Sequence, residues 1–199
     1  MKLVIGLGNP GAAYAQTKHN VGFWLIDAFA AQHKIALSER SGEAHVGRGH
    51  LHTIEGIQDI PFMLAKPQTF MNRSGRSARE LVSGLDIGPA DVIVAHDDLD
   101  LPCGALRFRT HGRSGGHRGV ASIMEALASD RFIRVKMGIG GDPRVRERDQ
   151  DVSDYVLSPF HAEALAAILK GIERAVSALP LILSGQVTEA MNRYHGASI

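Results

Sequence analysis

Leu3-Val4-Ile5 is an apolar run that passes at once into Gly6-Leu7-Gly8-Asn9-Pro10-Gly11. A run this short, without polar alternation, is the pattern of a strand buried on both faces inside a helix-covered parallel sheet. Residues 3–7 are expected to form that strand, with the glycine loop at its carboxyl end. From Val21 the period changes, and apolar residues at 24, 25, 28 and 29 make a helical stripe that fades near His33. Polar groups crowd the junction: Asn9 sits between Gly8 and Pro10, and His19 stands beside Asn20 ten residues on. In α/β sheets, ligands bind in the crevice outside the strands' carboxyl ends.

The alternation continues along the chain. Residues 44–66 suggest two strands around a Glu55-Gly56 turn, the second at 61–65. A helix is expected over 77–85, buried strands over 92–95 and 134–139, and a further strand over 106–108. After Gly115-Gly116, apolar positions 120, 123, 124 and 127 predict a helix. Ser158-Pro159 reads as a helix start with proline in the first turn. Two stripes follow, Leu165, Ile168, Leu169, Ile172, Val176 and Leu179, then Val187, Ala190, Met191 and Tyr194. The charged run 144–151 is expected as a surface loop. The fold class is α/β: one domain over 1–199, a three-layer sandwich with a mixed, largely parallel twisted sheet between helices.

The bulk properties narrow the functions open to it. At 199 residues, 44% hydrophobic and 22% charged, the chain can bury a core without metal or disulfide staples. The single Cys103 can form no internal disulfide and points to a reducing, cytoplasmic setting, and no run is long enough for a membrane span or signal peptide. Net charge is +1, but residues 105–148 carry ten Lys/Arg against four acids, a local +6 that leaves −5 elsewhere. Such a segment suits phosphate recognition, or is simply a solvated charged surface.

Gly6 to Gly11 satisfies the dinucleotide pattern G-x-G-x-x-G, yet the context is wrong for it. A dinucleotide site needs the helix to begin inside the motif, whereas residues 12–18 show no helical stripe. The acid expected about twenty residues on is replaced by Asp27, inside the helix. Other polar patches also follow strands or open helices. Lys66-Pro-Gln-Thr-Phe-Met-Asn72 joins an aromatic, a methionine and an amide, with Phe70 and Met71 open to a core role and Asn72 to a capping one. His96-Asp-Asp-Leu-Asp100 crowds carboxylates at a strand end, for a turn cap or a divalent metal, although no spaced His/Cys set accompanies them. Gly115-Gly-His-Arg-Gly119 would offer free backbone N–H groups and a cation at a helix start. No G-x-S-x-G elbow is present and Cys103 lies in a Pro-Cys-Gly turn. A base, acids and amides without a nucleophile point to attack by activated water.

In order, Gly6-Leu-Gly-Asn-Pro-Gly11 with Tyr14 and Lys18-His-Asn20, Lys66 to Gly75, His96 to Pro102, and Gly115-Gly-His-Arg-Gly119 closely resemble bacterial-type peptidyl-tRNA hydrolase. Met137-Gly-Ile-Gly140 and Ala190-Met-Asn-Arg193 are similar too, so the resemblance spans essentially the whole chain. It implies an enzyme that cleaves the ester between a peptide and the 3′ end of tRNA, as a cytoplasmic monomer without metal or cofactor. It further implies His19 as the general base, Asp97 as the group that holds its imidazole, and Asn9 at the peptide beside the scissile ester. Tyr14, Phe70 and Asn72 would bind the 3′ aminoacyl and peptide portion. Either Asn9 or Asn72 could stabilise the oxyanion.

One position departs from the family pattern, which reads Gly-Gly-His-Asn-Gly where this chain has Arg118. Arginine there would grip a tRNA phosphate or point to solvent. Two other functions fit parts of the pattern. An NAD(P) dehydrogenase would need the nucleotide loop that Pro10 and the late helix argue against. A non-catalytic RNA-binding relative is opposed by the joint presence of Asn9, His19, Asn72 and Asp97.

Overall fold

The computed structural model describes residues 1–52, 59–140 and 149–196. The strands are β1 (Lys2–Gly6), β2 (Glu39–Ser41), β3 (Ala44–His52), β4 (Asp59–Pro67), β5 (Val92–Asp98), β6 (Leu106–Arg109) and β7 (Ile133–Gly138). The helices are α1 (Val21–Gln32), α2 (Ser74–Leu85), α3 (Arg118–Leu127), α4 (Asp149–Val156), α5 (Ala162–Leu183) and α6 (Val187–Tyr194).

One seven-stranded sheet runs in the order β2-β3-β4-β1-β5-β7-β6. It is mixed, as expected: β4, β1, β5 and β7 are parallel, and the pairs at both edges are antiparallel. The apolar run of β1 occupies the centre, with Leu3, Val4 and Ile5 wholly buried. Leu3 and Ile5 join a core shared with α2 and α3, while Val4 joins the opposite core under α1, α5 and α6. Strand alternation thus feeds two cores from one run, giving three layers.

The chain leaves β1 toward β4 on one side and reaches β5 on the other, so β1 borders the switch point of the sheet. The loops that follow β1, β4 and β5 therefore converge at one edge. Two glycines bring α1 onto that edge. A Cβ on Gly6 would lie 2.3 Å from the Gly22 carbonyl, and one on Gly22 would lie 2.5 Å from the Ala95 carbonyl. They serve close packing of helix on sheet, and two 3₁₀ turns (Ala12–Tyr14 and Lys18–Asn20) separate the glycine loop from α1.

Several boundaries differ from expectation. The first helix after β4 begins at Ser74 rather than 77, where Ser74 Oγ donates to the Met71 carbonyl. The β5 strand runs to Asp98 rather than 95 because β7 continues to pair with it as far as Gly138. Ser158-Pro159 does not open a helix; α5 starts at Ala162, because the carbonyls of Ser158 and Pro159 are committed to Lys18. Of the charged run 144–151, residues 149–151 open α4 instead of forming a loop, and the remainder lies outside the described residues. The Glu55-Gly56 turn lies outside them as well, between the two strands expected there.

Candidate active site

His19 rides on the second 3₁₀ turn, 9% exposed, and faces the end of β5. Its Nδ1 lies 2.8 Å and 3.0 Å from the two carboxylate oxygens of Asp97. An ionised carboxylate only accepts, so Nδ1 carries the proton and Nε2 keeps a free lone pair. Asp97 is 3% exposed. Burial alone would push its carboxyl up, but the charges and hydrogen bonds of His19 and His117 hold it well below the usual carboxylate range.

His117, not foreseen from the sequence, bonds the same carboxylate. It caps α3: its Nδ1 accepts from the backbone N–H of Gly119 at 3.2 Å and of Val120 at 3.3 Å. With Nδ1 accepting, the proton sits on Nε2, which donates to Asp97 Oδ1 over 2.9 Å. The N–H groups expected to be free at this helix start are thus capped by their own histidine. A histidine two residues before a helical glycine, where Ser or Asp usually caps, was the available signal.

His96, the residue before Asp97 on β5, bonds the Asp97 backbone rather than its carboxylate. Its Nδ1 donates to the Asp97 carbonyl at 2.7 Å, and its ring packs on His117 with centroids 4.7 Å apart. Burial, aided by His117 and Lys136, keeps this imidazole well below the ordinary histidine value. Asp98 turns away to pair with Lys136 and to accept the Asp100 N–H, so the three carboxylates do not form one cluster.

Asn9 is oriented from three directions. Its backbone N–H donates to Asn20 Oδ1 at 2.8 Å, and its carbonyl accepts from Asn20 Nδ2 at 3.0 Å. Its own Oδ1 accepts from the Met71 N–H at 2.8 Å. The amide is therefore locked with Nδ2 as its remaining donor. Met71, 5% exposed, is core, whereas Phe70 is 54% exposed and stands edge-on to Tyr14 at 6.2 Å. Asn72 is exposed on the 3₁₀ turn leading into α2 and caps nothing. The loops after β1 and β4 are thereby stitched together by Asn9, with an aromatic pair at their rim.

Residues 3–199 match the family model for peptidyl-tRNA hydrolase. The chain belongs to the peptidyl-tRNA hydrolase family. It is 41% identical over 195 residues to peptidyl-tRNA hydrolase of Dehalococcoides mccartyi, covering 98% of this chain and 100% of that one. The Symbiobacterium thermophilum relative is 42% identical over 194 residues, with 98% of both chains covered. The crystal structure of peptidyl-tRNA hydrolase from Acinetobacter baumannii superposes with a TM-score of 0.87 at 35% identity, over 98% of this chain and 96% of that one. Membership makes this chain a hydrolytic enzyme.

The basic segment is less uniform than its count suggested. Arg107, Arg109, Arg113, Arg118 and Arg131 are exposed, but Arg134 is 2% exposed and Lys136 is paired with Asp98. Arg144, Arg146 and Arg148 lie outside the described residues. Cys103 is half-buried, its thiol donating to the Ala164 carbonyl at 3.3 Å. No described helix is long and apolar enough to cross a membrane.

Proposed function

We propose that this chain hydrolyses the ester joining a peptide, or an N-blocked amino acid, to the 3′ end of tRNA, and so returns the tRNA to translation. The observation that carries the mechanism is the His19 Nδ1–Asp97 contact at 2.8 Å, which turns Nε2 toward substrate as a base. Nε2 takes a proton from water as the water oxygen attacks the ester carbonyl. The tetrahedral intermediate collapses, the C–O bond to the ribose breaks, and the imidazolium returns the proton to the departing 3′ oxygen. Asp97 stabilises that imidazolium without itself gaining the proton.

Asn9 Nδ2 is the better-supported oxyanion donor, because an amide fixed before substrate arrives needs no reorganisation. Asn72, on an exposed turn, is assigned to the 3′ aminoacyl end together with Tyr14 and Phe70. The exposed arginines of 105–148 are assigned to tRNA phosphates, which position the substrate without reading its sequence. A cation between His19 Nδ1 and His117 Nε2 would need both lone pairs, and His117 would then turn an N–H toward two helix N–H donors. That supports hydrolysis without a metal; a single domain over 1–199, acting as a cytoplasmic monomer, completes the proposal.

The test is hydrolysis of N-acetyl-aminoacyl-tRNA after dialysis against EDTA, with unblocked aminoacyl-tRNA as comparison. Turnover of the blocked substrate alone is the expected result. An inert blocked substrate, or activity restored only by added metal, would contradict the reading.

A further inference from the structure

Lys18 immediately precedes His19 and is 3% exposed, yet among the described residues no carboxylate pairs with it. Its ammonium donates to Ser158 Oγ at 2.7 Å, to the Pro159 carbonyl at 2.8 Å and, more weakly, to the Ser158 carbonyl at 3.4 Å. It also lies 4.5 Å from the centroid of the Tyr155 ring and 5.3 Å from that of Phe160. All three N–H donors are used and the charge is spread over two aromatic faces. A buried ammonium held only by neutral acceptors is costly to desolvate, so its place calls for an explanation beyond simple filling.

The contacts continue beyond Lys18. The Lys18 N–H donates to the Ser158 carbonyl at 3.1 Å, and Thr17 bridges Pro159 in antiparallel fashion. Ser158 Oγ donates to the Tyr155 carbonyl at 2.7 Å, and the Tyr155 hydroxyl sits between the Gly140 carbonyl, its nearer acceptor, and the Ile139 carbonyl at 3.0 Å. The Ile139 N–H donates to the Asp98 carbonyl at 3.0 Å, one residue from Asp97. A ring of polar contacts therefore leaves the His19 turn, crosses the α4–α5 junction and returns at the end of β5. The direct His19–Asp97 bond closes it.

We propose that Lys18 is a positioning residue, whose grip on Ser158 and Pro159 fixes the His19 turn against Asp97. This rests on His19 acting as the base. The side chain does not reach the reacting atoms; it sets the distance and angle at which Asp97 holds the imidazole. The groups that face His19 are Asp97 from β5 and His117 from the start of α3, with His96 behind His117. Loosening the turn weakens the Asp97 contact, so the imidazolium is less favoured. The acid limb of the kcat/KM profile then moves to lower pH. Loss of a neighbouring cation by itself would move that limb upward, so the direction of the shift separates positioning from through-space charge.

The experiment compares wild type, Lys18→Met and Lys18→Arg as full chains, with circular dichroism and melting curves to establish folding. Lys18→Met is expected to lower kcat about tenfold with KM within about twofold. Its acid limb moves down, and Lys18→Arg restores both. The Nδ1–H proton resonance of His19, assigned with 15N-histidine, moves upfield in Lys18→Met whatever reaction the site performs. If no variant hydrolyses peptidyl-tRNA yet that resonance moves, the proposed function fails while the positioning role stands. Should Lys18→Met not fold, Ser158→Ala carries the test through a smaller shift in the same direction. An unmoved resonance with an unmoved or raised acid limb in the folded variant overturns the proposal.

Discussion

His117 and His19 donate to the same carboxylate, at 2.9 Å and 2.8 Å from Asp97 Oδ1. The two imidazoles are not equivalent. His117 spends its other nitrogen on the start of α3, while His19 keeps its own for substrate. One residue fixes the acid, and the acid fixes the base.

Removing the carboxylate charge while keeping its shape should disable the base. Asp97→Asn is expected to lower kcat on N-acetyl-aminoacyl-tRNA by roughly 10²–10⁴-fold, the usual range for general-base assistance. KM should change little, as Asp97 is buried behind His19. Steady-state kinetics with circular dichroism of the variant checks this.

His117 has two separable duties. His117→Ala should lose the α3 cap, at a cost of about 1 kcal/mol in urea unfolding, together with the bond to Asp97. His117→Asn can cap the helix but is too short to span to Asp97. Stability near wild type with turnover reduced about tenfold is expected for it. Full activity in His117→Asn would show the Asp97 contact to be dispensable.

The amides should divide by rigidity. Asn9→Ala is expected to lower kcat about 10²-fold or more, in line with loss of a preorganised oxyanion donor. Asn72→Ala should act mainly on KM. A reversal of that pattern would reassign the oxyanion role to Asn72.

Stability should depend on pH in a window set by His96. Its folded-state value is held below the unfolded one, so its contribution is fully present above about pH 6.5 and is lost as pH falls toward the folded value. His195, lowered by partial burial with Arg109 and Arg107, adds to the same window. Asp97 is also lowered, and its contribution is lost only below about pH 3.9. Melting temperatures of His96→Asn between pH 7.5 and 4.5 should fall less steeply than those of wild type. A slope equal to wild type would contradict the assignment.

Arg118 is exposed at the first position of α3, beside the site. If it grips a phosphate, Arg118→Asn should reduce the slope of log KM against log salt by roughly 0.7–0.9, the release expected for one phosphate contact. An unchanged slope would place its side chain in solvent.

Much of the fold was legible because the strands at the sheet centre are buried on both faces and read as plain apolar runs. The run of β1, the strand at 92–95 and the stripes of α5 and α6 all emerged that way. What escaped depended on partners distant in sequence. Ser158-Pro159 looks like a helix start in isolation, and only Lys18, buried against it, shows why the backbone stays extended. The three polar residues of β2 carry no pattern, since pairing with β3 alone makes them a strand. Arg134 counts as a surface cation in composition but is enclosed by the sheet and Phe132. At the candidate site, the motifs at strand ends already single out His19, Asp97 and Asn9, and the structure adds that His19 meets Asp97 while Asn9 meets Asn20 and Met71. His117 is not legible in its motif, where the glycines and the helix start dominate, because a tautomer fixed by a helix cap is a property of geometry.

The most direct test of the central claim is hydrolysis of N-acetyl-aminoacyl-tRNA by His19→Ala beside wild type, with circular dichroism establishing that both fold. The account predicts a loss of roughly 10²–10⁴-fold in kcat for the variant. Equal turnover by the two proteins would remove His19 as the base, and with it the mechanism.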